Sequence, residues 1–171
     1  MGAGKTTVGW ELSKRLGWQF TDLDDLIVKR ARKSIADIFA TEGEPAFRQR
    51  ESRALAEVLR RSAKQTMVIS LGGGAYVQQN NFEAIRDSGC RAIHLDADLE
   101  TLTARCRREG KVRPLLQDQN QFRQLYEARR SGYMKADHRV ETAGKSVPQI
   151  VTEIMLQLGF SDELSPKTRA R

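Results

Sequence analysis

The sequence is poor in cysteine, and it has no long apolar run. Only two cysteines, Cys90 and Cys106, occur among 171 residues, which is too few for a disulfide framework and favours a reducing, intracellular compartment. No segment approaches the roughly 18 to 20 apolar residues that a membrane span requires, and the N-terminus lacks the apolar region of a signal peptide. The sequence therefore predicts a cytoplasmic protein that does not enter a membrane.

Histidine is also scarce, and acidic residues are fewer than basic ones. His94 and His138 are the two histidines, and neither has a second ligand at metal spacing, which favours structural roles. The 29 Lys and Arg residues against 22 Asp and Glu residues leave a net charge of +7. This charge suits an anionic partner, whether a nucleotide, a phosphorylated metabolite, a nucleic acid or a membrane surface, and it does not choose among them.

Helix and strand patterns alternate up to about Gly159, which is typical of parallel βα units. Ser34 and Asp37 have the spacing of a capping box, and Pro45 is expected to open a longer helix. Three more helices are expected to be capped by Asn81, by Asp98 and by Ser146, the first of them closing at Gly89. The other expected elements are helices at 5–16 and 121–134 and strands at 19–23, 66–71, 91–95 and 139–142.

Two stretches lack the regular spacing of apolar residues that is typical of a helix or a strand. Residues 107–119 are charged and contain glycine, so we expect a mobile surface loop there. The basic tail 161–171 has no interleaved aromatic residues and is expected to be disordered and solvated rather than to bind nucleic acid. The remainder, 1–160, has the length of a single domain.

The chain opens with the second half of a Walker A phosphate-binding loop, GxxxxGK[ST], which runs straight into a helix. In such a loop glycines let backbone N–H groups surround phosphate oxygens, and the helix N-terminus adds its dipole. Lys5 is expected to reach the β- and γ-phosphates, and the Thr6 hydroxyl to bind Mg²⁺. The residues expected to bind ATP are Gly2, Ala3, Gly4, Lys5, Thr6 and Thr7.

The first glycine of the pattern and the strand that normally feeds the loop would precede Met1. We expect a P-loop NTPase fold, a three-layer αβα sandwich with a parallel sheet, whose first and central strand is missing from this chain. Our hypothesis is that the natural chain starts about ten residues upstream, a length that suits one strand and its loop.

Four further motifs follow in order. They are Phe20-Thr21-Asp22-Leu23-Asp24 at a strand end, Phe47-Arg48 in a helix, Gly72-Gly73-Gly74 after a strand, and Arg113-Pro114-Leu115-Leu116 in the charged loop. With the Walker A residues they resemble the shikimate kinase family, in the same order, across nearly the whole chain.

The resemblance implies roles on the acceptor side. Asp24 would hold the shikimate hydroxyls and accept the proton, and Asp22 would join Thr6 in the Mg²⁺ shell. Arg48 would bind the substrate carboxylate together with Arg129. Arg129 precedes Tyr133 by four residues, as in the family, but Ser131 and Gly132 replace the usual Pro and Leu, so the adjacent Arg130 competes for this assignment.

The resemblance also implies roles for the three consecutive glycines and for two more arginines. Gly72, Gly73 and Gly74 would bring backbone N–H groups close to the substrate, where a side chain would block approach. Arg113 would act in catalysis and in ATP binding when a lid at about 107–119 closes. Arg105 is similar to the family position that packs on adenine.

The resulting prediction is a monomeric, cytoplasmic enzyme that uses MgATP to phosphorylate shikimate, with its substrate-binding region at about 24–55, and that binds neither nucleic acid nor membrane. Two alternatives stay open. The first is another small-molecule P-loop kinase resembling gluconate kinases, which would not need two carboxylate-binding arginines. The second is a protein without catalysis, either a nucleotide-binding module or a basic nucleic-acid binder. A steep decrease of affinity with salt concentration would reveal the nucleic-acid binder.

Overall fold

The computed structural model describes residues 2–108 and 119–161, within which helices and strands alternate. The elements, in chain order, are α1 Lys5–Leu16, β1 Gln19–Asp22, α2 Leu23–Ala31, α3 Ile35–Ser62, β2 Met67–Ser70, α4 Gln79–Asp87, β3 Ile93–Asp96, α5 Leu99–Arg108, α6 Gln119–Tyr133, β4 His138–Glu141 and α7 Val147–Gln157. Arg113, most of the expected lid and most of the expected tail lie outside the described residues.

The described chain forms two compact units, and each contains a pair of parallel strands. The first unit comprises residues 2–8 and 91–161, and the second comprises residues 9–90. In the second unit β1 pairs with β2, so that Asp22 stands beside Ser70 at the carboxyl ends of the two strands. In the first unit β3 pairs with β4, and Asp96 stands beside Glu141. The predicted parallel α/β arrangement is confirmed, and a single domain stays a prediction.

The core of the second unit lies between the helices and β2. Leu23 and Ile27 of α2 pack with Ile38, Leu55 and Val58 of α3, and all five side chains are buried. Burial of one such side chain contributes about 1.5 to 3 kcal/mol. The helix α2, which the sequence pattern did not predict, is therefore fixed by its apolar face.

Helix α3 is interrupted at Gly43. Ser34 and Asp37 form the predicted capping box at its start. Gly43 has non-helical angles (φ 80°, ψ 171°), which a residue with a Cβ rarely adopts. Pro45 follows two residues later and opens the second half of the helix as predicted, because proline is tolerated in a first helical turn.

The first unit has its own apolar contacts. Ala3 in the loop before α1 packs with Ala97, Leu102 of α5 and Phe122 of α6. The apolar face of α7 is buried through Ile150, Val151, Ile154 and Met155. Helix α5 thus lies against the segment that precedes Lys5.

Most predicted boundaries agree with the structure to within two residues. Asp98 accepts a hydrogen bond from the Thr101 N–H at 2.7 Å and caps α5 as predicted. The prediction that Asn81 caps α4 is wrong: the helix begins at Gln79, and the buried Asn81 side chain donates to the Ala75 carbonyl at 3.1 Å. Strand β3 begins at Ile93 rather than at Arg91. No helix in residues 2–108 or 119–161 combines the length and hydropathy needed to cross a membrane.

Candidate active site

The residues before and in the first turn of α1 have the backbone geometry expected of a phosphate-binding loop. Gly2 and Gly4 have φ angles of 69° and 79°, which require glycine. Lys5 begins α1, and the first turn contains no acidic residue, so the positive end of the helix dipole is not offset. Lys5 is half-buried, whereas Thr6 is exposed. The local geometry is that of a loop able to bind an anion.

Helix α5 fixes the backbone of this loop at Gly2. A Cβ on Gly2 would stand 2.7 Å from the Cys106 Sγ atom and 2.9 Å from the Leu102 carbonyl oxygen. Cys106 is buried and forms no disulfide, whereas Cys90 is half-buried. Gly2 is therefore required for its backbone angle and for its close approach to α5.

Asp22 and Asp24 stand where β1 passes into α2. The Asp22 Oδ1 atom accepts hydrogen bonds from the backbone N–H groups of Asp24 at 3.0 Å and of Asp25 at 3.4 Å. Asp22 is thus the N-cap of α2, a position in which aspartate is strongly favoured. It fixes the turn from which the half-buried Asp24 side chain projects.

Gly72 lies against two carboxylates. A Cβ on Gly72 would stand 2.5 Å from Asp24 Oδ1 and 3.1 Å from Glu51 Oε1. Its φ angle is not positive, so the backbone conformation alone would admit other residues. The glycine is needed because β2 must end close to the Asp24 side chain.

Gly74 lies against the guanidinium group of Arg48. A Cβ there would stand 2.5 Å from Nη1 and 2.9 Å from Cζ of this arginine. The structure therefore brings together three of the predicted substrate-binding groups: the carboxylate of Asp24, the guanidinium of Arg48 and the glycine turn. All of them belong to residues 9–90.

Arg48 is held by two glutamates. Its Nη1 atom donates to Glu51 Oε2 at 2.8 Å, and its Nε and Nη2 atoms donate to Glu44 Oε1 at 3.0 and 2.9 Å. Burial acts to lower the pKa of Arg48, but the hydrogen bonds from Glu51 and Glu44 outweigh it, so the pKa is raised above its ordinary value. The guanidinium is therefore permanently charged.

The two glutamates differ in exposure. The Glu51 side chain is 1 % exposed, whereas that of Glu44 is 61 % exposed. An exposed ion pair contributes only about 0 to 1 kcal/mol, whereas breaking a buried one costs several. Glu51 is thus the fixed partner of Arg48, and Glu44 is the exchangeable one.

Glu51 is a site residue that the sequence interpretation missed. It shares the buried face of α3 with Phe47, Ala54, Leu55 and Val58. A glutamate among the apolar positions of a helix is almost never buried unless it is paired. That signal was present in the sequence, because Glu51 follows Arg48 by three residues, the spacing of side-chain neighbours on a helix.

Arg105 and Thr142 link α5 to the end of β4. The Arg105 guanidinium donates to the Thr142 hydroxyl at 2.9 Å and to its carbonyl at 2.6 Å. Thr142 is fully buried, and its N–H and hydroxyl both donate to the Asp96 carbonyl. One edge of the guanidinium is therefore occupied, and the contact of Arg105 with adenine stays a prediction.

Arg129 and Arg130 lie in the last turns of α6. Arg129 is half-buried and Arg130 is exposed. This difference in burial favours Arg129 as the residue that could meet a ligand, in line with the motif spacing. Its role stays a prediction, as does that of Arg113.

His94 is a half-buried histidine in β3. Its ring lies 5.3 Å from the ring of Tyr133, and its Nδ1 atom has no hydrogen-bond partner among the described residues. Burial lowers the pKa of His94, while the carboxylate of Asp96 opposes this shift. The neutral form is thus favoured, as a structural role requires.

The expectation that Thr6 and Asp22 bind Mg²⁺ stays a prediction. No group of three or more His, Cys, Asp or Glu side chains that could hold a metal occurs in residues 2–108 and 119–161. Mg²⁺ does not need such a group, because it usually takes one or two protein oxygens together with waters and the phosphates of its nucleotide. Hydroxyl and carboxylate oxygens are ligands of the kind that it prefers.

Comparison with known sequences gives one consistent result. The family model described as shikimate kinase matches residues 1–159. The chain is 44% identical over 163 residues to the shikimate kinase of Symbiobacterium thermophilum, covering 92% of this chain and 91% of that protein. It is 40% identical over 156 residues to the shikimate kinase of Persephonella marina, covering 91% and 92%.

Solved structures agree with the sequence comparison. The shikimate kinase from Acinetobacter baumannii in complex with shikimate superposes with a TM-score of 0.84 at 34% identity, covering 93% of this chain and 89% of that one. The shikimate kinase from Bacteroides thetaiotaomicron gives a TM-score of 0.82 at 28% identity, with 94% of each chain covered. A deoxyadenosine kinase from M. mycoides, at 17% identity and a TM-score of 0.57, shares the fold alone.

Proposed function

The chain belongs to the shikimate kinase family, and we propose that it transfers the γ-phosphoryl group of ATP to a hydroxyl of shikimate. The fold is that of a P-loop kinase. The observation that carries the proposal is the cluster in which Gly72 and Gly74 leave room for Asp24 and Arg48. A polyhydroxylated carboxylic acid needs both kinds of group, a carboxylate for its hydroxyls and a guanidinium for its anion.

Asp24 is the proposed proton acceptor. A carboxylate within hydrogen-bond reach of the substrate hydroxyl aligns the oxygen for in-line attack and accepts its proton late in a loose transition state. Asp22 supports this role, because its hydrogen bond to the Asp24 N–H fixes the first turn of α2.

Arg48 and Arg129 are the proposed partners of the substrate carboxylate. A guanidinium can bind a carboxylate bidentately, which a lysine ammonium cannot do. Arg48 is charged at any pH at which the enzyme works, as every arginine is, and its hydrogen bonds to Glu51 and Glu44 hold the group in place. Backbone N–H groups of the glycine turn, at Gly73 and Gly74, add donors for the substrate.

The loop from Gly2 to Thr7 is the proposed ATP site. Its backbone N–H groups and the α1 N-terminus bind phosphate oxygens, and Lys5 offsets the charge that moves during transfer. Thr6 and Asp22 would hold Mg²⁺, which when bound neutralises part of the β- and γ-phosphate charge. Arg113 would add positive charge at the transferring group, and Arg105 would contact adenine.

We further propose that the enzyme works as a monomer in the cytoplasm, without nucleic acid or membrane partners. The two unpaired cysteines support this location, because free thiols are typical of a reducing compartment.

A coupled assay of ADP release tests the function. We expect shikimate-dependent ADP release with MgATP, and none with gluconate or nucleoside monophosphates as acceptors. Equal release with gluconate would contradict the assignment. A chain that binds ATP but releases no ADP with any acceptor would point to a nucleotide-binding module instead.

A further inference from the structure

Gln78 makes a hydrogen bond that its position in the chain does not explain. It is the N-cap residue of α4, where Ser, Thr, Asp or Asn would satisfy the first N–H groups, yet its side chain makes no capping hydrogen bond. Its Nε2 atom donates instead to Glu51 Oε2 at 2.6 Å. The side chain is therefore committed to α3 and not to its own helix.

The oxygen that Gln78 contacts is the one that holds Arg48. Glu51 Oε2 accepts from Arg48 Nη1 at 2.8 Å and from Gln78 Nε2 at 2.6 Å. Because the Glu51 side chain is 1 % exposed, water cannot replace either donor without cost, and a buried carboxylate that loses a donor is strongly destabilised. The two donors together fix the direction of the carboxylate.

Gln78 also closes the segment that follows β2. Gly74 passes the face of the Arg48 guanidinium, and four residues later Gln78 fastens the same segment to Glu51. A neutral amide suits this position, because a lysine or arginine would compete with Arg48 for the single carboxylate charge. The amide leaves that charge to orient the guanidinium.

We propose that Gln78 is a positioning residue for the binding of the carboxylate substrate: it holds Glu51, and Glu51 holds Arg48. This inference rests on the proposed function, in which Arg48 binds the substrate carboxylate. Gln78 does not contact the substrate in this scheme, so its loss acts on substrate affinity through Arg48 and leaves the ATP site unchanged.

Three variants of the full chain test the proposal by steady-state kinetics and by calorimetric titration with shikimate. Gln78→Ala is expected to raise the KM and Kd for shikimate about tenfold, the scale of one hydrogen bond to a charged group, with the KM for ATP unchanged. Gln79→Ala is the matched control, because this exposed neighbour donates its side-chain hydrogen bond to Glu83 on the same helix. It should alter neither constant.

Gln78→Glu tests the proposal by the pH dependence of the KM for shikimate, which a purely structural role of Gln78 would leave unchanged. The introduced carboxyl group meets Glu51, and two close carboxylates share a proton. At low pH the protonated carboxyl group at position 78 can donate to Glu51 as the amide does. At high pH it is ionised and repels the Glu51 carboxylate. We therefore expect the KM for shikimate to rise with pH between about 5 and 8 in this variant and more steeply than in the unmodified enzyme.

The outcomes separate the two proposals. If the unmodified chain phosphorylates shikimate and Gln78→Ala leaves the KM and Kd for shikimate unchanged, this inference alone is overturned. The same holds if Gln78→Ala raises the KM for shikimate and the KM for ATP equally. A chain that neither binds nor phosphorylates shikimate would overturn both.

Discussion

The guanidinium group of Arg48 occupies the space in which a side chain at Gly74 would have to stand. The contact distances of 2.5 to 2.9 Å that a Cβ would make there leave no room for even a methyl group. Gly74 thus leaves room for the Arg48 side chain. The turn after β2 and helix α3 therefore form one site.

Replacing Gly74 by alanine should displace Arg48. We expect Gly74→Ala to raise the KM for shikimate by at least tenfold, since moving a charged, hydrogen-bonded group costs about 1.5 to 3 kcal/mol, and to leave the KM for ATP unchanged. Gly89→Ala is the control for shikimate binding: a Cβ at Gly89 meets no atom within 4 Å, and its positive φ angle of 74° lowers stability without moving Arg48. Equal effects of the two substitutions on shikimate KM would contradict the explanation.

Asp24→Asn should abolish turnover while nucleotide binding is retained. The amide keeps the shape of the side chain but cannot accept the proton of the attacking hydroxyl, and general-base catalysis contributes about 10² to 10⁴ in rate. Asp25→Asn provides a control in the same helical turn, because Asp25 is exposed. The measurements are kcat and the Kd for ATP. Unchanged kcat in Asp24→Asn would remove this residue from the mechanism.

Glu44→Gln should strengthen shikimate binding. Glu44 accepts from the Nε and Nη2 edge of Arg48, which is one edge that a carboxylate ligand could bind bidentately. Because this pair is exposed and worth about 0 to 1 kcal/mol, its removal should lower the KM for shikimate about two- to fivefold. Glu42→Gln removes the same charge from the pairs with Lys33 and Arg50 and serves as control. A raised KM in Glu44→Gln would mean that Glu44 positions Arg48 rather than competing for it.

Gly2→Ala should weaken ATP binding beyond its effect on stability. The positive φ angle alone costs about 1 to 2 kcal/mol for alanine, and the contact with Cys106 and the Leu102 carbonyl displaces the loop as well. Gly17→Ala has a similar φ angle of 66° but open space around its Cβ. We expect both variants to melt at lower temperature and only Gly2→Ala to raise the KM for ATP.

His94 should make the enzyme less stable as the pH falls below neutral. The unfolded chain binds a proton at this residue near the ordinary pKa of 6.5, whereas burial lowers the pKa in the folded state. Between these two pKa values the unfolded state binds more protons, so the free energy of unfolding decreases as the pH decreases. Urea unfolding from pH 7.5 to pH 5 checks this. In His94→Phe the decrease should be smaller, and an equal decrease would contradict the assignment.

Much of the site could be predicted because its residues stand at positions that local rules define. Asp22 and Asp24 follow a strand, Lys5 begins a helix, and the glycine triple ends a strand, so that short sequence patterns place each of them. The prediction for Asn81 was wrong because a tertiary contact outweighed the preference of asparagine for helix caps: the Asn81 side chain donates a hydrogen bond to the Ala75 carbonyl. Gln78 could not be predicted at all, since its partner Glu51 lies 27 positions earlier in the chain.

The break at Gly43 has a consequence for how the family could vary this region. Because the helical geometry starts afresh after Gly43, the turns of the first half of α3 do not set the rotation of Arg48 and Glu51 around the helix axis. A single residue inserted between Gly43 and Arg48 would rotate both side chains by about 100° around that axis. The segment before the glycine is held separately, through Ile38 in the core, whereas the segment after it must keep its length for Arg48 to face Gly74.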